Sequence, residues 1–467
     1  MTVLYQKAVR ISLLITIFIV IKITSYGQQK NTITLQSIID SVQKHLPVLL
    51  EKQSLINSAN AGITDARHSR LPVLRAMDEI SASSSNNLAG VYFPMSTIPS
   101  VSGSIRSTSN FQPEFGNIGM LYSEYDIYDF GLQKARINSA KAFAGLAEAD
   151  FQRELYLLKW QAGKAYFDLL QNEYQLGIDG QNIHRYEDIY KVIQALTISG
   201  LRAGADSSQI IAELSRTRFN YNLTAGKINQ LEQQLTYYTG IANFKLVIDT
   251  GFQASNTQLL PDLNSTIDTA GNPFINYYTA QTNYYKVNQQ LINKSFQPRV
   301  VLLGGLWGRG SSIQYNDQYK SAIYGVGYQR FNYAFAISFV YNLFDVVHRR
   351  DKLAINQYRT EASNYELQDE QQSLINELQK ATAAINTTKQ NLMEVPVQMA
   401  AAKDGYAQKL AQYNAGTINL IDLTNASFIL YRAQTDYLQI LNDWYSSNLN
   451  KAAITGNLDQ FIKSIKK

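Results

Sequence analysis

The chain repeats itself in register over most of its length. Pro47 and Pro72 recur 226 residues later as Pro273 and Pro298. Beyond a gap the shift becomes 216 residues, and it pairs Tyr125 with Tyr341, Asp129 with Asp345, Gly200 with Gly416 and Asp206 with Asp422. A duplicated unit of this length predicts two similar halves with pseudo-symmetry and argues against a solenoid. The change of shift places a shorter loop in the second copy.

Each copy follows the same predicted order of helix, β-hairpin, long helix and return helix. We predict a first repeat over 28–240, with a hairpin at about 73–128, a long helix at about 131–198 and a return helix at about 209–239. A linker follows over 241–271. The second repeat covers 272–456, with a hairpin at about 299–343, a long helix at about 346–412 and a return helix at about 420–455. Residues 457–467 are expected to be a C-terminal tail.

Apolar residues recur at three, four and seven through both long helices, as in Leu367, Leu374 and Leu378. Sustained heptads of this kind predict coiled-coil packing. The alternative is an ordinary core helix, although helices this long do not fit inside a compact domain.

The N-terminus is typical of a secretory signal peptide, predicted over 1–27. Lys7 and Arg10 precede an apolar run at 11–21, and the small residues Ser25 and Gly27 occupy the two recognition positions of a cleavage site. Its removal would lower the formal charge from +5 to +2, which argues against a nucleic-acid partner. The chain has no cysteine and four scattered histidines, so we expect no disulfide, no metal site and no cofactor.

The second hairpin alternates bulky and small residues. Its bulky positions predict a membrane-facing strand formed by Tyr333, Phe335, Ile337, Phe339 and Tyr341. About ten such residues suffice for a tilted strand to cross a bilayer, although soluble sandwiches also alternate in this way. Two hairpins supply four strands, which cannot close a barrel, so several chains would have to share one. Three chains would give twelve strands around an aqueous lumen.

The mature chain resembles the TolC family of outer-membrane efflux factors. The resemblance rests on Leu71-Pro72, on YDFG at 128–131 with its copy LFD at 343–345, and on the turns GLRAGAD at 200–206 and YNAGTINLID at 413–422. It implies a homotrimer with a shared 12-stranded β-barrel and a periplasmic α-helical barrel. It also implies an outer-membrane location, a periplasmic adaptor and an inner-membrane pump as partners, and no enzymatic activity.

The family's tips meet the adaptor, so the resemblance implies docking at Gly200, Leu201, Tyr413, Asn414, Ala415 and Gly416. The alternative is that the two glycines serve only the turns. The resemblance likewise implies aperture or gating roles for Asp206 and Asp422. Alternatively, both could be exposed residues at helix starts. Ile418 and Asn425 depart from the family's pattern, which leaves a simpler or differently built gate.

Two functions follow from these patterns. The first is a channel of an efflux or type I secretion system that passes substrates from pump and adaptor to the exterior. The second is a structural or adhesive coiled-coil protein of the cell envelope without a channel. Nothing in the sequence resembles a nucleophile with its base or a phosphate-binding loop, so an enzyme is a distant third.

Overall fold

The computed structural model describes residues 31–86, 107–200, 203–242, 244–246, 266–314 and 318–465. The predicted signal peptide lies outside these residues. The chain divides into two compact units, each of which takes segments from both repeats. We call them the helical unit (Met1–Gln53, Ala149–Tyr277 and Leu367–Lys467) and the sheet unit (Ser54–Glu148 and Tyr278–Glu366).

The described elements follow the order of the two repeats. They are β1 (Asn31–Ile33), α1 (Leu35–His45), α2 (Pro47–His68), β2 (Val73–Ser83), β3 (Glu114–Tyr128), α3 (Leu132–Ile198), α4 (Gly204–Thr239), β4 (Phe244–Leu246), α5 (Pro273–Ser295), β5 (Arg299–Ser311), α6 (Ala322–Val326), β6 (Arg330–Val340), α7 (Asp345–Asn414), α8 (Leu420–Thr455) and α9 (Leu458–Ile465). The long helices α3 and α7 have 67 and 70 residues, about 100 Å each at 1.5 Å per residue. No described helix is both long and apolar enough to cross a membrane.

The first predicted helix is two helices. Leu46 separates α1 from α2 with extended backbone angles, φ −75° and ψ 126°. Pro47 causes the break, because a proline disfavours the helical conformation in the residue before it. Pro47 itself begins α2, where its missing N–H costs nothing.

The main core of the helical unit lies between α1, α3, α4, α8 and α9. Phe167 of α3 stacks on Tyr445 of α8 with ring centroids 5.3 Å apart, and Phe461 of α9 meets its edge. Residues 458–465 belong to the predicted C-terminal tail. These residues form α9 because Leu458, Phe461 and Ile462 recur at helical spacing and are buried in this core.

The sheet unit contains an antiparallel sheet with the strand order β2-β3-β5-β6. Both β2 and β6 are edge strands. The register pairs Phe339 with Val300, Phe335 with Gly304 and Tyr333 with Leu306, so these residues share one face. We call it the aromatic face. The other face is called the polar face because it carries most of the charged side chains of the strands.

The aromatic face is open to the surroundings of the single chain. Tyr333, Phe335, Ile337 and Phe339 are each about 70% exposed. Phe335 lies across Gly304, where an added Cβ would be 3.4 Å from its ring. The predicted strand is one residue too long, since Tyr341 follows the last residue of β6. The ladder ends at Val340, whose partner Arg299 is the first residue of β5.

Candidate functional site

The two helix-to-helix turns of the helical unit share a second core. Residues from the end of α3, the starts of α4 and α8 and the end of α7 are buried together there. This tip core consists of Tyr186, Ile189, Ile193, Ile210, Leu214, Tyr413, Leu420 and Leu423. Both predicted tips therefore belong to one packed structure, which positions the turns at 200–206 and 413–422.

The second turn ends α7 with a Schellman motif. Gly416 has φ +73°, and its N–H donates to the carbonyl of Tyr413 at 2.9 Å. The N–H of Thr417 donates to the carbonyl of Gln412 at 3.0 Å. This pair of bonds satisfies carbonyls that the helix end leaves free, and it requires a left-handed residue that glycine supplies without strain. Asn419 then caps α8 by accepting a bond from the N–H of Asp422 at 2.9 Å.

The first turn shares the glycine and differs in the cap. Gly200 has φ +74°, and its N–H donates to the carbonyl of Thr197 at 3.1 Å. Leu201 lies outside the described residues. Helix α4 begins after Ala203, whose side chain makes no capping bond. The two copies therefore share the left-handed glycine but differ in the capping side chain. The two turns stabilise the starts of their return helices to different extents.

Most of the described residues predicted for adaptor docking lie at the surface. Gly200, Asn414, Ala415 and Gly416 are exposed, and nothing lies within 4 Å of a Cβ added to either glycine. Tyr413 differs, because its side chain is 7% exposed and packs in the tip core. In the single chain it supports the turn and offers little surface to a partner.

Asp206 and Asp422 occupy equivalent places, each as the third residue of its return helix. Asp206 is half-buried and Asp422 is exposed. A carboxylate in the first turn of a helix is stabilised by the N-terminal end of the helix dipole. Both predicted explanations, an aperture role and a helix-start role, are therefore compatible with these positions.

A groove that the sequence analysis missed lies beside the second turn. It is a cavity of about 380 Å³ with apolar walls and a polar rim. Its lining consists of Gln181, His184, Arg185, Asp188, Ile189, Val192, Tyr406, Leu410, Tyr413, Asn414 and Leu423. The spacing of Gln181, Arg185 and Val192 along α3, at four and seven residues, could have indicated one shared helix face.

Arg185 is the half-buried cation of this groove. Its Nη2 lies 3.0 Å from Oδ1 of Asn182 and 3.4 Å from Oε1 of Gln434, and its guanidinium lies 5.8 Å from the ring centroid of Tyr406. Burial lowers the pKa of Arg185, and burial raises the pKa of Tyr406. The ordinary pKa of arginine is so high that the guanidinium keeps its charge at neutral pH. The groove thus combines apolar side chains with the charges of Arg185 and Asp188.

The comparisons with known proteins identify the second half of this architecture. A family model described as outer membrane efflux protein matches residues 285–457, from within α5 to the end of α8. This segment is therefore similar to the outer membrane efflux protein family. Among curated proteins, no sequence matches the chain.

Solved channels share the fold of almost the whole chain. The outer membrane channel CmeC of Campylobacter jejuni is 16% identical, with 95% of this chain and 94% of that chain covered and a TM-score of 0.70. The outer membrane protein VceC of Vibrio cholerae is 13% identical over 90% and 96%, with a TM-score of 0.69. The Neisseria gonorrhoeae outer membrane channel MtrE, solved in its open state, is 16% identical over 92% and 95%, with a TM-score of 0.67.

These matches confirm the predicted family resemblance and the predicted fold class. The solved proteins that share this fold are described as outer membrane proteins or channels, as the predicted location would require. The docking and gating roles of individual tip residues stay predictions.

Proposed function

We propose that this protein is the outer-membrane channel of a tripartite efflux or type I secretion system. Three copies would share one β-barrel and one α-helical tube, and substrates would pass through them from an inner-membrane pump and a periplasmic adaptor to the exterior. The observation that carries this proposal is the sheet, which has two unpaired edges and one aromatic face.

The two unpaired edges of the sheet need further strands as hydrogen-bond partners. A sheet edge presents free N–H and C=O groups, and within lipid each unsatisfied group costs several kcal/mol. Pairing β6 of one copy with β2 of the next would satisfy both edges, and three copies would close the ring. Twelve strands would leave room for a water-filled lumen.

The two faces differ as the wall of such a barrel requires. The aromatic face carries Tyr333, Phe335, Ile337 and Phe339, which suit contact with lipid. Asp78 is a charged residue on this face, and it accepts a 2.8 Å hydrogen bond from the hydroxyl of Tyr328. The polar face carries Glu124 and Asp126 with Arg299 and would line the lumen.

The tips supply the other end of the duct. The groove beside Asn414 offers apolar walls and the fixed charge of Arg185, a combination that suits an amphipathic helical hairpin of an adaptor. Gly416 leaves space for a second backbone at the turn. Asp206 and Asp422 would form rings of carboxylates at the aperture and attract cations.

Planar bilayers test the channel. Protein purified in detergent should insert as a cross-linkable trimer and give stepwise conductance. Extraction without detergent, together with no conductance, would instead support the alternative of a coiled-coil envelope protein. For the aperture, Mg²⁺ on the tip side should reduce the current, and Asp206→Asn with Asp422→Asn should weaken that block. Asp188→Asn removes a carboxylate that lines the groove and is the control.

A further inference from the structure

One end of the sheet carries a cluster of cations that the proposed function leaves unexplained. Where β2 begins and β3 ends, an open cavity of about 600 Å³ in the sheet unit is lined by charged residues of both signs. Its cations are Arg70, Lys134, Arg136, Lys141 and Arg299, and its carboxylates are Glu124, Asp126 and Asp129. The cations therefore exceed the carboxylates.

The carboxylates are already engaged. The Nη1 atom of Arg299 lies 3.7 Å from Oε1 of Glu124 and 3.6 Å from Oδ1 of Asp126. Asp129 accepts hydrogen bonds from the N–H of Gly131 at 3.0 Å and from the N–H of Gln133 at 2.6 Å, and so caps the start of α3. Arg299 offsets one of the two carboxylate charges beside it, so the five cations and three carboxylates of the cavity leave a net charge of +2.

Four cations remain, and we call them the junction cluster: Arg70, Lys134, Arg136 and Lys141. All four are exposed, and within the described part of the chain none lies within 4.0 Å of a carboxylate oxygen. Lys134 and Lys141 are seven residues apart on α3, so they project from the same side of that helix. Their mutual repulsion favours an anion between them.

The second repeat carries basic residues at equivalent places. The shift of 216 residues takes Lys134 to Arg350 and Arg136 to Lys352, near the start of α7. Both of these side chains are exposed. A basic pair thus stands at the start of each long helix, although the residue types were exchanged.

The cavity opens on the polar face of the sheet. The register places Glu124 opposite Val73 and Asp126 opposite Val301, on the side away from Phe335 and Phe339. On this face the charges of the strand residues balance, with four arginines and four carboxylates. These are Arg75, Arg299, Arg309, Arg330, Glu79, Glu114, Glu124 and Asp126. The excess of positive charge is therefore confined to the junction between strands and helices.

We propose that the junction cluster is an anion-attracting site in the lumen, and that this channel favours substrates bearing carboxylate, phosphate or sulfate groups. The inference rests on the proposed channel function, because only a closed trimer turns the polar face into a lumen. Three copies of the cluster would then surround the duct. An excess of one sign of charge around a duct raises the local concentration of the opposite ion. The effect is screened over about 8–10 Å at physiological salt.

Reversal potentials measured across a bilayer in a KCl gradient test the site. The measurement is made in a channel carrying Asp206→Asn and Asp422→Asn, which removes the carboxylates proposed for the aperture. This channel should pass Cl⁻ in preference to K⁺ at about 0.1 M salt, and the preference should fade near 1 M because of screening. The combined variant Arg70→Gln, Lys134→Gln, Arg136→Gln and Lys141→Gln should lower the Cl⁻/K⁺ permeability ratio at least about twofold. The charge-conserving variant Arg70→Lys, Lys134→Arg, Arg136→Lys and Lys141→Arg is the matched control and should keep the ratio.

The outcomes separate this inference from the channel itself. Absence of conductance in the unchanged protein would contradict the proposed function. If the channel without the aperture carboxylates conducts but prefers K⁺, or if its ratio is the same after the glutamine substitutions, the anion site alone is overturned. If the cations instead bind lipid phosphates, the glutamine variant would lose binding to vesicles containing phosphatidylglycerol while its permeability ratio stayed unchanged, which also overturns the proposal.

Discussion

Tyr431 of α8 donates its phenolic hydrogen to Oδ1 of Asp179 of α3 across 2.9 Å. Asp179 is only 1% exposed. Its other bonds come from Thr224 of α4, at 2.6 Å, and from Gln175 of α3, at 2.8 Å. One buried carboxylate thus joins three helices of the helical unit. A buried charge persists only when such donors surround it, so its bonds fix how these helices lie against one another.

Replacing Tyr431 with phenylalanine should destabilise the helical unit. The ring would keep its packing, but the buried carboxylate would lose one of its donors, at a cost of about 1–3 kcal/mol. Chemical denaturation followed by helical circular dichroism measures the change. Tyr237→Phe, at an exposed tyrosine of α4, is the control and should leave the midpoint unchanged. Equal midpoints for the two variants would show that the bond to Asp179 contributes nothing.

The same pair gives the protein a pH dependence in alkali. Burial, the charge of Asp179 and the bond to it together raise the pKa of Tyr431 to about 12. The ordinary pKa is about 10, so the unfolded chain loses this proton first. The contribution to stability is therefore complete below pH 10 and is lost as the pH rises towards 12. In phenolate absorbance, Tyr431→Phe should lose one of the late-titrating tyrosines, and identical titrations would contradict this assignment.

Gly416→Ala and Gly405→Ala should change stability in opposite directions. Gly416 has φ +73°, where an alanine costs about 1–2 kcal/mol although the site has free space. Gly405 lies inside α7 with nothing near an added Cβ, so alanine there should stabilise by about 1 kcal/mol. Thermal unfolding of both variants measures the difference. A gain in stability from Gly416→Ala would show that the turn does not need its left-handed residue.

Opposite faces of β6 should respond differently to charge. Phe335→Asp would place a carboxylate on the aromatic face and, if that face meets lipid, should cost about 2–4 kcal/mol near the bilayer midplane. Ala336→Asp puts the same group on the polar face and should be tolerated. The yield of folded trimer in the outer membrane, read by its resistance to detergent on gels, compares the two. Similar yields would argue against the assignment of the faces.

A negative charge introduced into the groove should weaken the binding of the adaptor. Val192 lines the groove and is 47% exposed, while Ile211 of α4 is 49% exposed and lies outside its lining. Val192→Asp should weaken binding of an adaptor hairpin at least tenfold, which corresponds to about 1.4 kcal/mol. Ile211→Asp should bind as the unchanged protein does. Titration calorimetry with the purified adaptor measures both, and equal losses would move the docking site elsewhere.

The sequence alone determined what depends on local spacing. The duplication, the bounds of α3 and α7 and the alternation of β6 all follow from periods within one element, which side-chain geometry sets directly. Gly200 and Gly416 could be read as turn residues because a left-handed position favours glycine whatever surrounds it. The break at Leu46 could also have been predicted from Pro47, and helix α9 could have been predicted from the apolar spacing of its own residues.

Only the tertiary structure decided what depends on residues distant in the chain. It buried the side chain of Tyr413 in the tip core, and it brought Tyr431 to Asp179 across 252 positions of sequence. The groove beside Arg185 and the junction cluster near Arg299 likewise arise where separate segments meet. A local period fixes which side of an element a residue lies on. It carries no information about which other element covers that side, because packing between distant segments is chosen by the whole fold.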